Sequence, residues 1–163
     1  MHGALECLRT YALITQDTVT APLRMHALTA RAVRETVPDG ALAITTRIAA
    51  DAITNLWPRH DHEERELAAL LRANVVHLDQ LTRPALWEST THPCIYAVSR
   101  SLTEAGLYQQ AIEHDENTVR LTSSILGSNH PHTLVALGAL VRTISGMPLG
   151  LRNAASWSIR RGI

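Results

Sequence analysis

The sequence contains no lysine and no phenylalanine. All 15 basic residues are arginine, and they balance 15 acidic residues to a formal charge of zero. A nucleic-acid binder normally carries a basic excess, because phosphate neutralisation dominates its affinity; the balance argues against that class. Lysine and phenylalanine both have AT-rich codons, so their absence reads as the codon bias of a GC-rich, bacterial genome and not as a functional signal. Aromatic residues are only 4% of the chain. Its core must therefore be built from Leu, Ala, Ile and Val, a composition in which Ala and Leu favour helix.

Two cysteines, Cys7 and Cys94, lie far apart with no CxxC spacing. That excludes a disulfide framework and a cysteine zinc site as first readings. Both fall among apolar neighbours and read as packing residues. No run of 18 apolar residues occurs, and the start lacks the charged and apolar regions of a signal peptide, so the expected address is the cytoplasm. With 163 residues and 45% apolar content, the chain is long enough for one core.

Apolar spacing places a helix over 3–13, carried by Ala4, Leu5, Leu8 and Ala12. Leu13-Ile14-Thr15 and Leu23-Arg24-Met25-His26 read as short strands joined by the polar, Pro-containing segment QDTVTAP. A helix over 27–36 stops at Pro38-Asp39-Gly40. The next, over 40–56, sets Leu42, Ile44, Ile48, Ala52, Ile53 and Leu56 mainly on one side and ends at Trp57-Pro58. A further helix covers 62–81, with Asp61 as its N-cap and Glu63 and Glu64 in its first turn. Residues 82–91 read as a loop or a single short turn.

From residue 92 the punctuation becomes periodic. His92-Pro93 opens a helix that Gly106 closes; Tyr108 to Leu126 forms the next, closed by Gly127; His130-Pro131 opens a third. The His-Pro pair returns after 38 residues, and Gly106 returns as Gly146 after 40. A period of this size marks a helical unit that cannot bury its apolar face alone and must stack on neighbours. After Gly146 the pattern fails. Residues 147–163 read as a degenerate tail: a frayed end, a weak cap, or the product of a truncated or frameshifted reading frame, with one amphipathic stretch at Leu151–Ile159.

Two segments carry a family resemblance. Gly106-Leu107-Tyr108-Gln109-Gln110-Ala111-Ile112 resembles the Gly-x-Tyr-x-x-Ala-Ile pattern of tetratricopeptide repeats. Leu126-Gly127-Ser128-Asn129-His130-Pro131-His132-Thr133-Leu134 resembles the longer, kinesin-light-chain-like form of that repeat. Asp115 stands where a large packing residue is common and Thr118 where Ala is usual, so the repeat is expected to pack loosely. The segment Leu8–Ile14 followed by Arg24–Arg34 resembles the winged-helix region of bacterial NB-ARC-type (STAND) signal-transduction ATPases. In that family the counterpart of His26 lies near the β-phosphate of bound ADP, so the resemblance makes His26 a cofactor contact if a nucleotide domain is supplied. The Asp that often follows this His in plant members is Ala27 here.

The expected fold is therefore mainly α: a partial winged-helix-like segment at 1–38, a helical hairpin linker at 39–82, and tetratricopeptide-like hairpins of an α-solenoid at 92–146, one full and one partial. No G-x-x-x-x-G-K-[ST] phosphate loop is present, and no Lys could serve one, so the chain is not expected to hydrolyse ATP. No nucleophile signature surrounds any Ser or Cys. Neither His60-Asp61-His62 nor His130-Pro131-His132 has metal-ligand spacing with a third donor. The resemblance implies a protein-interaction module without cofactor or metal, in the cytoplasm, part of signal transduction, binding a protein, a peptide or a second copy of itself. Its groove positions carry over to Tyr96, Arg100, Thr103, Glu104 and Arg142; Arg grips carboxylates and Tyr supplies an amphipathic contact. The alternative is a DNA-binding regulator reading through helix 27–36, which offers only Arg31 and Arg34, with Arg24 nearby.

Overall fold

A computed structural model describes residues 2–18, 21–88 and 90–149. The chain is mainly helical, with one short antiparallel ribbon: α1 (His2–Thr10), β1 (Ile14–Thr15), β2 (Arg24–Met25), α2 (Ala27–Thr36), α3 (Asp39–Leu56), α4 (Arg65–Trp87), α5 (Pro93–Glu104), α6 (Tyr108–Leu126) and α7 (Pro131–Gly146). It forms two compact units, residues 1–42 and 43–163. Among the described residues, no helix is long and apolar enough to cross a membrane. The degenerate tail read at 147–163 falls mostly outside the described residues, from Gly150 onward.

In the first unit, α1 ends earlier than its apolar spacing suggests. The Thr10 hydroxyl bonds the Glu6 carbonyl at 2.9 Å, and Ala12 takes a φ of 53°. The ribbon pairs Ile14 with Met25 and Thr15 with Arg24. Its connection is held by Gln16, whose amide donates to the Ala21 carbonyl at 2.6 Å. Cys7 is exposed, so its reading as a packing residue is corrected.

The second unit carries the main core: Ala50, Trp57, Leu71, Val75, Leu86, Trp87, Cys94, Ile95, Ala97, Val98, Leu102 and Ala111, supplied by α3 to α6. The side of α3 that enters it is Thr46, Ala50 and Ile53, followed by Trp57. Ile44, Ile48 and Leu56, expected to share the buried side, are more than 60% exposed. Both sides of α3 carry apolar residues, and the side bearing the fully buried Ala50 is the one that joins the core.

Helix α4 differs from expectation at both ends. It begins at Arg65, leaving Glu66 as the acid of its first turn. It also takes in 82–87, the start of the segment expected to be a loop or a single short turn. Thr82 leaves helical geometry (φ −142°, ψ 40°), and its hydroxyl bonds the Leu78 carbonyl at 2.9 Å. Pro84 has no N–H to continue the helical ladder, which accounts for a break here. The helix resumes because Ala85, Leu86 and Trp87 are all buried. Arg47 donates to the Ala85 carbonyl at 3.1 Å and fixes this end against α3.

Beyond the core, α5, α6 and α7 pack on one another. Gly106 (φ 76°) and Gly127 (φ 97°) supply the two left-handed turns between them. Gly146, paired with Gly106 by the sequence period, keeps a negative φ as the last residue of α7.

Candidate functional site

The histidines that punctuate the sequence are helix caps. His26, His92 and His130 each hold an extended backbone, with φ between −62° and −68°, and each Nδ1 accepts the N–H two residues on, at 3.2–3.3 Å. An imidazole accepts there only as the tautomer with Nε2–H. His92 uses that second nitrogen as well: Nε2 lies 3.1 Å from Asp51 Oδ1, tying the start of α5 to α3. His26 is exposed.

The five expected groove residues separate into three places. Arg100, Thr103 and Arg142 come together, with Ser99, Ala139 and Thr143, around a cleft of about 180 Å³ between α5 and α7. Arg100 and Arg142 are exposed there; Arg100 Nε sits 3.8 Å from Glu104 Oε1, one turn on. Arg142 lies back over Gly138: a Cβ there would meet Arg142 Nη1 at 3.5 Å, an ordinary contact. Tyr96 stands apart from the cleft. It is half-buried, its hydroxyl donates to the His132 carbonyl at 3.3 Å, and burial raises its pKa. It fastens α5 to α7 beside the cleft.

Glu104 belongs to a different cavity, of about 300 Å³, lined by Asp61, His62, Arg65, Ala68, Arg72, Glu104 and Ala105. Its inner wall is Asp61, whose side chain is only 4% exposed. Trp57 Nε1 donates to Asp61 Oδ1 at 3.2 Å, and the fully buried Ser101 hydroxyl donates to Oδ2. Arg72 Nη1 donates to Ser101 Oγ at 2.7 Å and lies 3.7 Å from the same carboxylate oxygen. Glu104 Oε2 accepts the Asp61 N–H at 3.2 Å. Asp61 is thus no helix cap but a buried hub joining the end of α3, α4 and α5. A charge this deep persists only when paired and hydrogen-bonded. Sequence reading missed the hub because its partners are 4 to 43 residues away and share no motif.

A second buried carboxylate holds α6 to α7. Asp115, 1% exposed, accepts the Thr143 hydroxyl at 2.6 Å. Thr118 bonds back to the His114 carbonyl at 2.9 Å. The loose packing expected at these positions is corrected: both side chains are buried and satisfied. The ring pairs His60–His62 (5.7 Å) and His130–His132 (5.6 Å) lie against each other. Among the described residues, no three His, Cys, Asp or Glu side chains gather in a way that could hold a metal ion. Cys94 is buried, and its thiol is pushed up to about 12 by burial first, with Asp79 and Asp51 adding to the shift.

No family model, no curated protein and no solved structure matches this chain.

Proposed function

We propose that this chain is a tetratricopeptide-like helical-repeat module that binds an acidic peptide segment of a partner protein through the α5–α7 cleft. The observation that carries this reading is the convergence of Arg100 and Arg142, from helices 38 residues apart in the repeat, on one cleft beside Ser99, Thr103 and Thr143. Guanidinium groups take carboxylates in a forked, charge-assisted geometry. The repeat assignment is supported by the matching caps at His92 and His130 and by the left-handed turns at Gly106 and Gly127. On this reading the chain carries no chemistry of its own and serves as a recognition part in signal transduction by NB-ARC-type assemblies. A solenoid and a winged-helix-like start, with His26 facing a nucleotide held elsewhere, complete that picture.

The DNA-binding alternative has less behind it. Arg31 is engaged by Glu35 at 2.7 Å on the same helix, and Arg24 lies 3.6 Å from Asp17. That leaves Arg34 as the uncommitted cation of the first unit's reading helix.

The test is fluorescence anisotropy with a library of labelled Asp/Glu-rich peptides and their Asn/Gln counterparts. Acidic peptides should bind, and binding should weaken with salt. Arg100→Ala and Arg142→Ala should each weaken it roughly 10- to 100-fold, the worth of one charge-assisted hydrogen-bond pair. Equal binding of neutral and acidic peptides, or indifference to both substitutions, would defeat the proposal.

A further inference from the structure

One side of α4 is hollow near its start. Arg65, Ala68 and Arg72 recur at helical spacing and share that side. Ala68, with no exposed surface, sets a short side chain between two long ones. The end of α5 lies opposite through Glu104, and the space between is the cavity of about 300 Å³. That is the low end of the range for ligand pockets, with room for roughly ten waters at about 30 Å³ each. Two arginines and two carboxylates line it, Arg65 and Arg72 against Asp61 and Glu104, so their formal charges cancel. These four groups are not equally engaged. Asp61 is saturated by Trp57, Ser101 and Arg72. Arg72 makes those contacts with Nη1, and its Nε and Nη2 have no partner among the described residues. Arg65 has no ion pair or hydrogen bond among the described residues. Glu104 accepts the Asp61 N–H with Oε2, and Oε1 has only the long contact to Arg100 Nε, at 3.8 Å. One cavity thus holds an unpaired guanidinium and an open carboxylate oxygen that do not meet.

We propose that this cavity binds a small zwitterion, a free α-amino acid, with its carboxylate on Arg65 and the unused donors of Arg72 and its ammonium on Glu104 Oε1. A net anion entering here meets two carboxylates, and a net cation meets two arginines. A molecule of zero net charge that carries both signs a few bonds apart is the electrostatic complement of a neutral cavity with separated charges. The guanidinium fork matches a carboxylate, and an ammonium donates to a carboxylate oxygen in a charge-assisted bond. The acceptor is held ready, because Oε2 of the same carboxylate is tied to the Asp61 backbone. Asp61 itself takes no ligand; its bonds to Trp57 and Ser101 fix the inner wall. The long Arg100–Glu104 contact joins this site to the α5–α7 cleft, but the site needs no peptide there.

NMR titration of the isotope-labelled full chain with the common α-amino acids, one at a time, tests this. At least one should give saturable shifts centred on the amides of Asp61, Arg65, Ala68 and Glu104. Its N-acetyl form, which lacks the ammonium, and its amide, which lacks the carboxylate, should each bind at least about 10-fold more weakly. Those two arms also separate a free amino acid from the end of a peptide. Glu104→Gln keeps an acceptor for the Asp61 N–H and removes the charge. Arg65→Gln removes the other charge at an exposed position with no partner to lose. Each should raise the Kd roughly 10- to 100-fold, with helical circular dichroism unchanged. Arg142→Ala, in the α5–α7 cleft, should leave this binding as it was, which keeps the two sites distinguishable. The proposal is overturned if no amino acid binds in the millimolar range, or if the N-acetyl form binds as well as the parent. It also fails if Arg65→Gln changes nothing, or if the loss follows Arg142 instead.

Discussion

Single residues in this chain do work their type conceals. Asp115 and Asp61 are acids, and each is buried. What makes them tolerable is a hydroxyl from another helix: Thr143 for Asp115, Ser101 for Asp61. The penalty for breaking such a pair falls on the partner left behind. Thr143→Val should therefore destabilise the chain by about 1–3 kcal/mol in urea unfolding, and Asp115→Leu with Thr143→Val together should recover much of that loss. If the double variant is less stable than the sum of the singles, Asp115 is held by something other than this hydrogen bond. Neither pairing was legible beforehand. A sequence shows that Asp115 departs from a packing pattern; it does not show which distant hydroxyl points back at it.

At the level of the element, starts and stops were legible, because they are decided by neighbouring residues. His-Pro marks the first turn of α5 and α7, and the imidazole Nδ1 caps both in the same way. The two caps differ in surroundings. His130 is half-buried, whereas His92 is 4% exposed and also bonds Asp51. Loss of the cap alone costs about 1 kcal/mol, so His130→Ala should lower stability by about that amount. His92→Ala should cost roughly 2–3 kcal/mol, because it also opens a buried space and abandons Asp51. Thermal melts of the two variants compare the costs directly; equal losses would mean that the Asp51 contact contributes nothing. The end of α4 was illegible for the opposite reason. Thr82 and Pro84 leave a loop and a single short turn equally open, and burial of Leu86 and Trp87 decides for a helical turn beyond the break. Tertiary contact decided what the local signal left open. The same holds for α3, where two apolar stripes competed and the smaller, Ala50-bearing one was chosen.

Across the whole molecule, the second unit depends on a core of twelve closely packed side chains with Cys94 fully inside it. Burial lifts this thiol from its ordinary 9.0 to about 12. The folded thiol then holds its proton to a higher pH than the unfolded one. Its contribution to stability is fully present below pH 9 and drains away as pH rises toward 12. Cys94→Ser or Cys94→Ala should flatten that alkaline loss in denaturant titrations between pH 8 and 11. Under native conditions near pH 8, the exposed Cys7 should react rapidly with a maleimide, and Cys94 only on unfolding. Fast labelling of both thiols in the folded chain would show that the core opens around α5.

Taken by itself, the sequence determined the mainly helical character, the approximate limits of most helices, the two-stranded ribbon, and the 38-residue recurrence with its Gly turns and His-Pro starts. These features depend on backbone dihedrals, caps and apolar spacing, all properties of residues a few positions apart. The tertiary structure alone decided which side of α3 is buried and that α4 continues past Pro84. It also made Asp61 an interior hub, and it gathered Arg100, Thr103 and Arg142 at one cleft while sending Glu104 to another and Tyr96 to a fastening role. Those outcomes depend on which distant helix lies opposite each side chain. Helical spacing names the residues that share a face; only packing decides what that face meets.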